Sequence, residues 1–146
     1  MPDMQKVTIY TDGACHPNPG KGGWAALLRI QGQDRIISGG EKYSTNNRME
    51  LTAAIKALKS LHKPSNIKFY TDSNYLKKGI TLWMPNWIKQ GWKRKGGTLR
   101  NADLWKELHT AAKKHQIKWH WVKAHSTNKN NQRVDRLAVM ARKKIR

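Results

Sequence analysis

Residues 9–13, Ile-Tyr-Thr-Asp-Gly, and residues 69–73, Phe-Tyr-Thr-Asp-Ser, share one grammar. Each closes a short stretch rich in β-branched and aromatic residues, 5–12 (QKVTIYTD) and 66–71 (NIKFYT), which reads as a strand. In both, an aspartate stands at the strand's end and a small residue follows it. If the strands are parallel neighbours, Asp12 and Asp72 lie side by side about 5 Å apart. They would then occupy the carboxyl ends of strands, where open α/β sheets place their sites. Asp after a strand is also a common turn former, and for either residue alone that reading comes first. The repetition brings the two readings level.

Outward from these strands the chain divides cleanly. A turn cluster rich in Gly and Pro is expected from Gly13 to Gly23, then a strand over 24–30 (WAALLRI), a hairpin turn at Gln31–Asp34 and a third strand over Arg35–Tyr43. Ser44 or Thr45 can cap a helix in which Met49, Leu51, Ala54, Ile55, Leu58 and Leu61 recur at helical spacing. Pro64 and Ser65 break the chain before the 66–71 strand. Residues 73–92 read as one or two helices broken near Pro85, 93–100 (KRKGGTLR) as a basic loop, and Asn101–Lys114 as a helix. A strand over 116–122 (QIKWHWV) and a helix over Asn131–Arg142 finish the pattern. No linker or repeat interrupts it, so residues 1–146 are expected to form one domain. The order βββαβααβα predicts an α/β fold, a five-stranded mixed sheet flanked by helices.

Composition narrows the partners. The 146 residues carry a formal charge of +20, against about 2–8 for a comfortable small soluble domain. Such an excess repels itself unless a polyanion neutralises it, which points first to nucleic acid. No basic amphipathic helix with a bulky apolar face suggests a membrane surface, and no long apolar run or signal-type leader is seen. The single Cys15 excludes an internal disulfide framework and suits a reducing compartment, so a cytoplasmic protein is expected.

In so basic a chain the position of each acid is informative. Glu50 shares a helical face with Ala54, Ala57 and Leu61, on or beside the buried stripe. A buried charge needs a partner. An ion pair, for instance with Arg48, competes equally with a functional role. Asp135 sits at the edge of an apolar face formed with Val134, Leu137, Ala138 and Val139, and a surface pair with a basic neighbour is a strong alternative. If Asp12, Glu50, Asp72 and Asp135 converge, the cluster needs cations, and hard oxygen donors suit Mg²⁺ or Mn²⁺. One Cys and scattered His cannot supply a zinc set, and no phosphate-cradling glycine loop is present. Acid-bound metal on a strongly basic protein suggests phosphodiester chemistry on nucleic acid.

At this point the residues resemble a known family. TDGACHPNPGKGGWAALLR (11–29), TNNRMELTAAIKAL (45–58), YTDSNYLKKGITLW (70–83), NWIKQGWK (86–93), NADLW (101–105) and HQIKWHWVKAHSTNKNNQRVDRLA (115–138) resemble bacterial type 1 ribonuclease H, in the family's order and over nearly the whole chain. The resemblance implies a ribonuclease H-like fold and an endonuclease that hydrolyses the RNA strand of RNA–DNA hybrids. It implies two Mg²⁺ ions, with Mn²⁺ as a substitute, held by Asp12, Glu50, Asp72 and Asp135. Products would carry 5′-phosphate and 3′-hydroxyl ends. His125 matches the family's mobile histidine, and its intrinsic pKa near 6.5 suits proton transfer or product release. The other five histidines read as ordinary surface or packing residues.

The hybrid would be told from duplex DNA by its 2′-hydroxyls and groove shape. Asn18, Asn46, Asn47 and Asn74, with Thr45 beside them, offer the donors and acceptors a shallow groove requires. Lys89, Lys93, Arg94, Lys95 and Arg100, interleaved with Trp83, Trp87 and Trp92, would grip DNA-strand phosphates. Core packing is the competing role for those three Trp and the favoured one for Trp105, Trp119 and Trp121. Two positions depart from the family pattern. Ala124 stands where Gly is expected, which stiffens the loop before His125, and Asn74 is one methylene shorter than the expected Gln. The chain also ends soon after Asp135, and no separate hybrid-binding domain is expected, so affinity falls to a single, monomeric domain. A silent hybrid-binding module is disfavoured by the four carboxylates. A strand transferase or junction resolvase is disfavoured by the asparagines.

Overall fold

The computed structural model describes residues 4–92, 100–123 and 128–146. Strands β1 (Gln5–His16), β2 (Gly20–Ile30) and β3 (Gln33–Ser44) form an antiparallel meander. Helix α1 (Asn46–Lys59) leads to β4 (Ser65–Thr71). Then come α2 (Asn74–Lys78), a π-helical turn (Gly79–Trp83), α3 (Met84–Lys89), α4 (Ala102–Ala112), β5 (Gln116–Trp121) and α5 (Lys129–Lys143). The sheet order is β3-β2-β1-β4-β5, with β4 and β5 parallel to β1. The expected five-stranded mixed sheet and element order are thus observed.

Three local expectations need correction. The turn cluster after Asp12 is narrower than 13–23: β1 and β2 stay paired out to His16 opposite Lys21, leaving only residues 17–19 between them. Several glycines there serve close approach of helices instead of a turn. A Cβ on Gly22 would meet the Met49 side chain at 2.7 Å, and one on Gly23 would meet the Ala138 carbonyl of α5 at 2.3 Å. The β2–β3 turn is two residues long, not four. Gln31 and Gly32 take φ of 51° and 78°, the left-handed pair that matches strand twist in a tight hairpin. Pro85 does not break the 73–92 helix. It lies in the first turn of α3, directly after the π turn, and Met84 N–H donates to the Gly79 carbonyl. The five-residue spacing relieves the clash a proline ring makes with the preceding turn.

Alternation along the strands separates two cores. Val7, Ile9, Ala26, Leu28, Ile67 and Phe69 face α1 and α4, packing on Leu51, Ile55, Leu58, Trp105 and Leu108. Tyr10, Ala25 and Leu27 face the other way, onto Val134 and Ala138 of α5. A strand with period-2 alternation can bury both faces only when helices cover both. Thr45 is the cap of α1, its Oγ1 accepting from the Arg48 N–H at 3.1 Å.

This topology opens a cleft. β1 and β4 pair only as far as Tyr10 opposite Tyr70. Beyond that point β1 continues with β2 on one side, while the chain leaving β4 turns into α2 and later returns as β5 on the other. The divergence is a topological switch point, at the carboxyl ends of two parallel strands.

Candidate active site

Asp12 lies two residues past the last β1–β4 pair, and Asp72 directly follows the last residue of β4. Ser73, next in line, caps α2 by accepting from the Leu76 N–H at 3.1 Å, which fixes how the backbone carries Asp72 out of the strand. Glu50 arrives from the second turn of α1. Its approach depends on Gly13, where a Cβ would lie 2.6 Å from the Glu50 backbone nitrogen, so only glycine lets β1 and α1 touch there. Carboxylate oxygens of Asp12, Glu50 and Asp72 all lie within 4.8 Å of one another.

The ion-pair explanation of Glu50 fails. Arg48 turns away to Asp103, with two N–O contacts of 3.0 and 3.2 Å, and to Asn101 Oδ1 at 3.1 Å. Glu50 is only 4% exposed and its Oε2 has no hydrogen-bond partner among the described residues. Burial, and then the charge of Asp12, push its carboxyl well above the usual carboxylate range. Burial also raises Asp12, to about 7; Asp72 and Asp135 add to the rise, while hydrogen bonds from Glu50 and the Gly13 N–H oppose it. Without cations, burial and the neighbouring carboxylates therefore both disfavour the charged forms of Asp12 and Glu50.

Asp135 projects from α5 into the same cleft, exposed, and is in no ion pair among the described residues, so the surface-pair alternative is not observed. The cleft has a volume of about 560 Å³ and is lined by all four acids together with Asn46, Asn47 and Asn74. Asn18 stands apart from its lining, with Oδ1 accepting from the Asn46 N–H at 3.2 Å, and so holds the turn after β1 to the start of α1. Lys89 and Arg100 are exposed. His125, Lys93, Arg94 and Lys95 lie outside the described residues.

The tryptophans divide less evenly than the sequence suggests. Trp105 is fully buried, and Trp83, Trp87 and Trp92 are half-buried and pack against the α1–α4 core. Their rings run as a chain, with centroids 5.9 Å apart from Trp83 to Trp87 and 6.3 Å from Trp87 to Trp92. Trp119 and Trp121 stack in parallel at 5.9 Å and pack on the same core.

Sequence reasoning missed Tyr75, Asn131 and Gln132, which also line the cleft. Tyr75 Oη accepts from Asn101 Nδ2 at 3.0 Å and Trp105 Nε1 at 3.1 Å, tying α2 to α4. Asn131 is buried, and its Oδ1 has no partner among the described residues. Its one available signal was the i,i+4 spacing that puts it on the Asp135 face of α5.

The RNase H family model matches residues 4–143. The chain belongs to the ribonuclease H family. Ribonuclease H of Xanthomonas campestris pv. campestris is 52% identical over 136 residues, 92% of this chain and 91% of that protein. Ribonuclease H of Rickettsia bellii is also 52% identical, over 96% of this chain and 91% of its own length. Among solved structures, LC9-RNase H1, a type 1 RNase H with the type 2 active-site motif, superimposes with a TM-score of 0.88 at 32% identity, covering 98% of this chain and 74% of that one. LC11-RNase H1, solved in complex with an RNA/DNA hybrid, shares the fold at a TM-score of 0.72 and 20% identity, with 94% and 97% coverage. The protein is a ribonuclease H enzyme of the bacterial type 1 group, in a family that depends on divalent metal. No helix among the described residues is long and apolar enough to cross a membrane.

Proposed function

We propose that this ribonuclease H cuts the RNA strand of RNA–DNA hybrids endonucleolytically, leaving 5′-phosphate and 3′-hydroxyl ends, with Asp12, Glu50, Asp72 and Asp135 as the metal-binding set. The carrying observation is the meeting of three carboxylates at the β1–β4 switch point, in a cleft that Asp135 and three asparagine amides also line. One structural neighbour, LC11-RNase H1, is solved with an RNA/DNA hybrid.

The residues fit a pair of divalent ions. The donors are all hard oxygens, and Glu50, whose buried Oε2 has no partner among the described residues, lies against two other carboxylates, an arrangement that cations relieve. Bound there, Mg²⁺ or Mn²⁺ would supply an activated water and charge stabilisation of the leaving 3′ oxygen. The chain's own groups do the rest. Asn46, Asn47 and Asn74 present amide donors and acceptors to 2′-hydroxyls and base edges of a shallow groove. Asn18 fixes the first of them through its backbone. Thr45, as N-cap, fixes how the chain enters α1 and with it the placement of Asn46 and Asn47. Lys89 and Arg100, with Lys93, Arg94 and Lys95 between them in sequence, attract DNA-strand phosphates. Trp83, Trp87 and Trp92 pack on the core with one side and, half-buried, offer their uncovered edges to the hybrid. His125 moves a proton at the leaving oxygen or helps the product depart. One domain and one chain suffice for all of these roles.

A single assay tests the reading. The protein is incubated with Mg²⁺ and end-labelled hybrid, duplex DNA, duplex RNA or junction DNA. Cleavage confined to the RNA strand of the hybrid, with ligatable 5′-phosphate ends, is expected. Cleavage of junction DNA, or binding of hybrid without cleavage, would overturn it.

A further inference from the structure

Beside the candidate active site lies a second cavity, with a volume of about 340 Å³. That is within the usual range for small-ligand pockets, about 300–1,000 Å³. Asp72, Ser73 and Asn74 line both cavities and so stand between them. Lys77, Trp121 and Lys123 line only the second.

The pocket follows from how two parallel strands end. β4 and β5 pair out to Thr71 opposite Trp121, and the Val122 N–H still donates to the Thr71 carbonyl at 3.0 Å. Beyond that row the chains part. The residues after Asp72 turn into α2, while the chain leaving β5 continues through Val122 to Lys123. The Lys77 N–H donates to the Ser73 carbonyl at 3.1 Å, so Lys77 stands one helical turn beyond the neighbour of Asp72. Trp121 is half-buried: it stacks on Trp119, packs on the α1–α4 core and backs the pocket with the rest of its ring. Lys77 and Lys123 are exposed and in no ion pair among the described residues. Asp72 is the one acid of the lining, and one of its oxygens belongs to the cluster with Asp12 and Glu50. Two ammonium groups against one carboxylate make this pocket positive, beside a cleft that its acids make negative.

From this juxtaposition we propose that the pocket is a subsite for one phosphodiester of the cut strand, the linkage next to the scissile one, with Lys77 and Lys123 as its counter-charges. The cleft opens over the ends of β1 and β4 and the pocket over the ends of β4 and β5, one strand spacing of about 5 Å apart. Charges along a nucleic-acid strand repeat on that scale, with about 3.4 Å of axis to each. A strand with one phosphate at the carboxylates therefore brings its neighbour to the lysines. Trp121 and Val122 give the intervening sugar an apolar wall. The inference rests on the hybrid-cutting reading only in taking that strand to be RNA.

The test is a binding cycle in chelator. The probe is a short duplex in which a run of ribonucleotides within one strand fixes the register, and one uncharged methylphosphonate linkage is moved along either strand. Wild type should lose affinity when the uncharged linkage flanks the scissile position of the ribonucleotide strand, on one side of it. Lys77→Ala/Lys123→Ala should bind the unmodified duplex more weakly, with the log K against log salt slope flattened by about 0.7–0.9 for the one phosphate lost. In that variant the methylphosphonate should cost nothing further, because substitution and modification remove the same contact. Lys77→Arg/Lys123→Arg should restore the penalty. Lys113→Ala/Lys114→Ala, at the far end of β5, should keep it in full. The rise in melting temperature on adding Mg²⁺ should match wild type in Lys77→Ala/Lys123→Ala, since the carboxylates are untouched, and its KM for cleavage should rise while kcat holds. A full methylphosphonate penalty persisting in Lys77→Ala/Lys123→Ala, or coupling to a linkage of the all-deoxy strand instead, would overturn the subsite. The cycle involves no cleavage, so a wild type that shows the coupling and cuts no hybrid would strike the proposed function alone.

Discussion

Gly13 and Glu50 are in backbone contact: a single methyl group on Gly13 would sit 2.6 Å from the Glu50 nitrogen and 2.7 Å from the Met49 carbonyl carbon. The strand that carries one acid and the helix that carries the next are held together by the lack of a side chain. Gly13→Ala therefore must push α1 away from β1. We expect a loss of about 1–3 kcal/mol, as for overpacking in a core, with a lower melting temperature and a larger proportional loss of cleavage. Calorimetry alongside a turnover assay checks it; an alanine variant with normal turnover would show that the carboxylate spacing tolerates this shift.

Asp12 binds its proton more tightly in the folded protein than in the unfolded chain, where the ordinary value is 3.8 against about 7. Glu50 is shifted in the same direction. Over this interval the native state holds more protons, so stability falls as pH rises. The metal-free protein should be most stable below about pH 4, apart from other groups, and lose that contribution through about pH 7. Asp12→Asn removes one charge at nearly constant volume. In chelator at neutral pH it should melt higher than wild type, and its advantage should shrink as pH is lowered. Added Mg²⁺ should stabilise wild type more than the variant, as linkage to a bound ion requires. Thermal scans from pH 4 to 8, with and without Mg²⁺, read both effects; a variant that melts lower in chelator would make Asp12 a structural turn residue.

Asp72→Asn should abolish cleavage and leave hybrid affinity nearly intact. Asp72 is one of three carboxylates that meet, whereas in the proposed function binding is assigned to amide and basic groups elsewhere. Equilibrium binding in chelator and turnover in Mg²⁺ separate the two, and near-normal turnover would remove Asp72 from the site.

His125→Ala should slow turnover by a factor between about 10 and 10⁴ without eliminating it, the range for positioned proton-transfer groups. The slowing should depend on pH. A variant that matches wild type at every pH would make His125 an ordinary surface residue, an outcome that Ala124 beside it would help to explain.

Much of this protein is legible in the chain because its signals are local. The βββαβααβα order follows from alternation, helical spacing and turn residues, each acting over a few positions, and all the expected elements are present with boundaries moved by a few residues. The repeated Thr-Asp at two strand ends marked Asp12 and Asp72, and the apolar face around Glu50 marked a buried acid. The glycines of 13–23 misled for a physical reason. Glycine serves a turn and a close helix approach alike, and only the presence of Met49 and Ala138 against β2 distinguishes them. Likewise Pro85 signals a break until a π turn is seen to absorb it.

What the sequence by itself determined was the class of fold, the excess of positive charge and the short list of acids from which a site could be made. Tertiary structure decided which acids meet. Glu50 had two candidate fates, a pair with Arg48 or a place in a cluster, and the choice turned on Asp103 and Asn101, more than fifty positions away in the chain, taking the guanidinium. It also decided that Trp83, Trp87 and Trp92 pack as one chain of rings. Local propensity is set by neighbours along the chain, whereas a charge's partner and a face's cover are set by distances through space, which only the closed sheet and its helices fix.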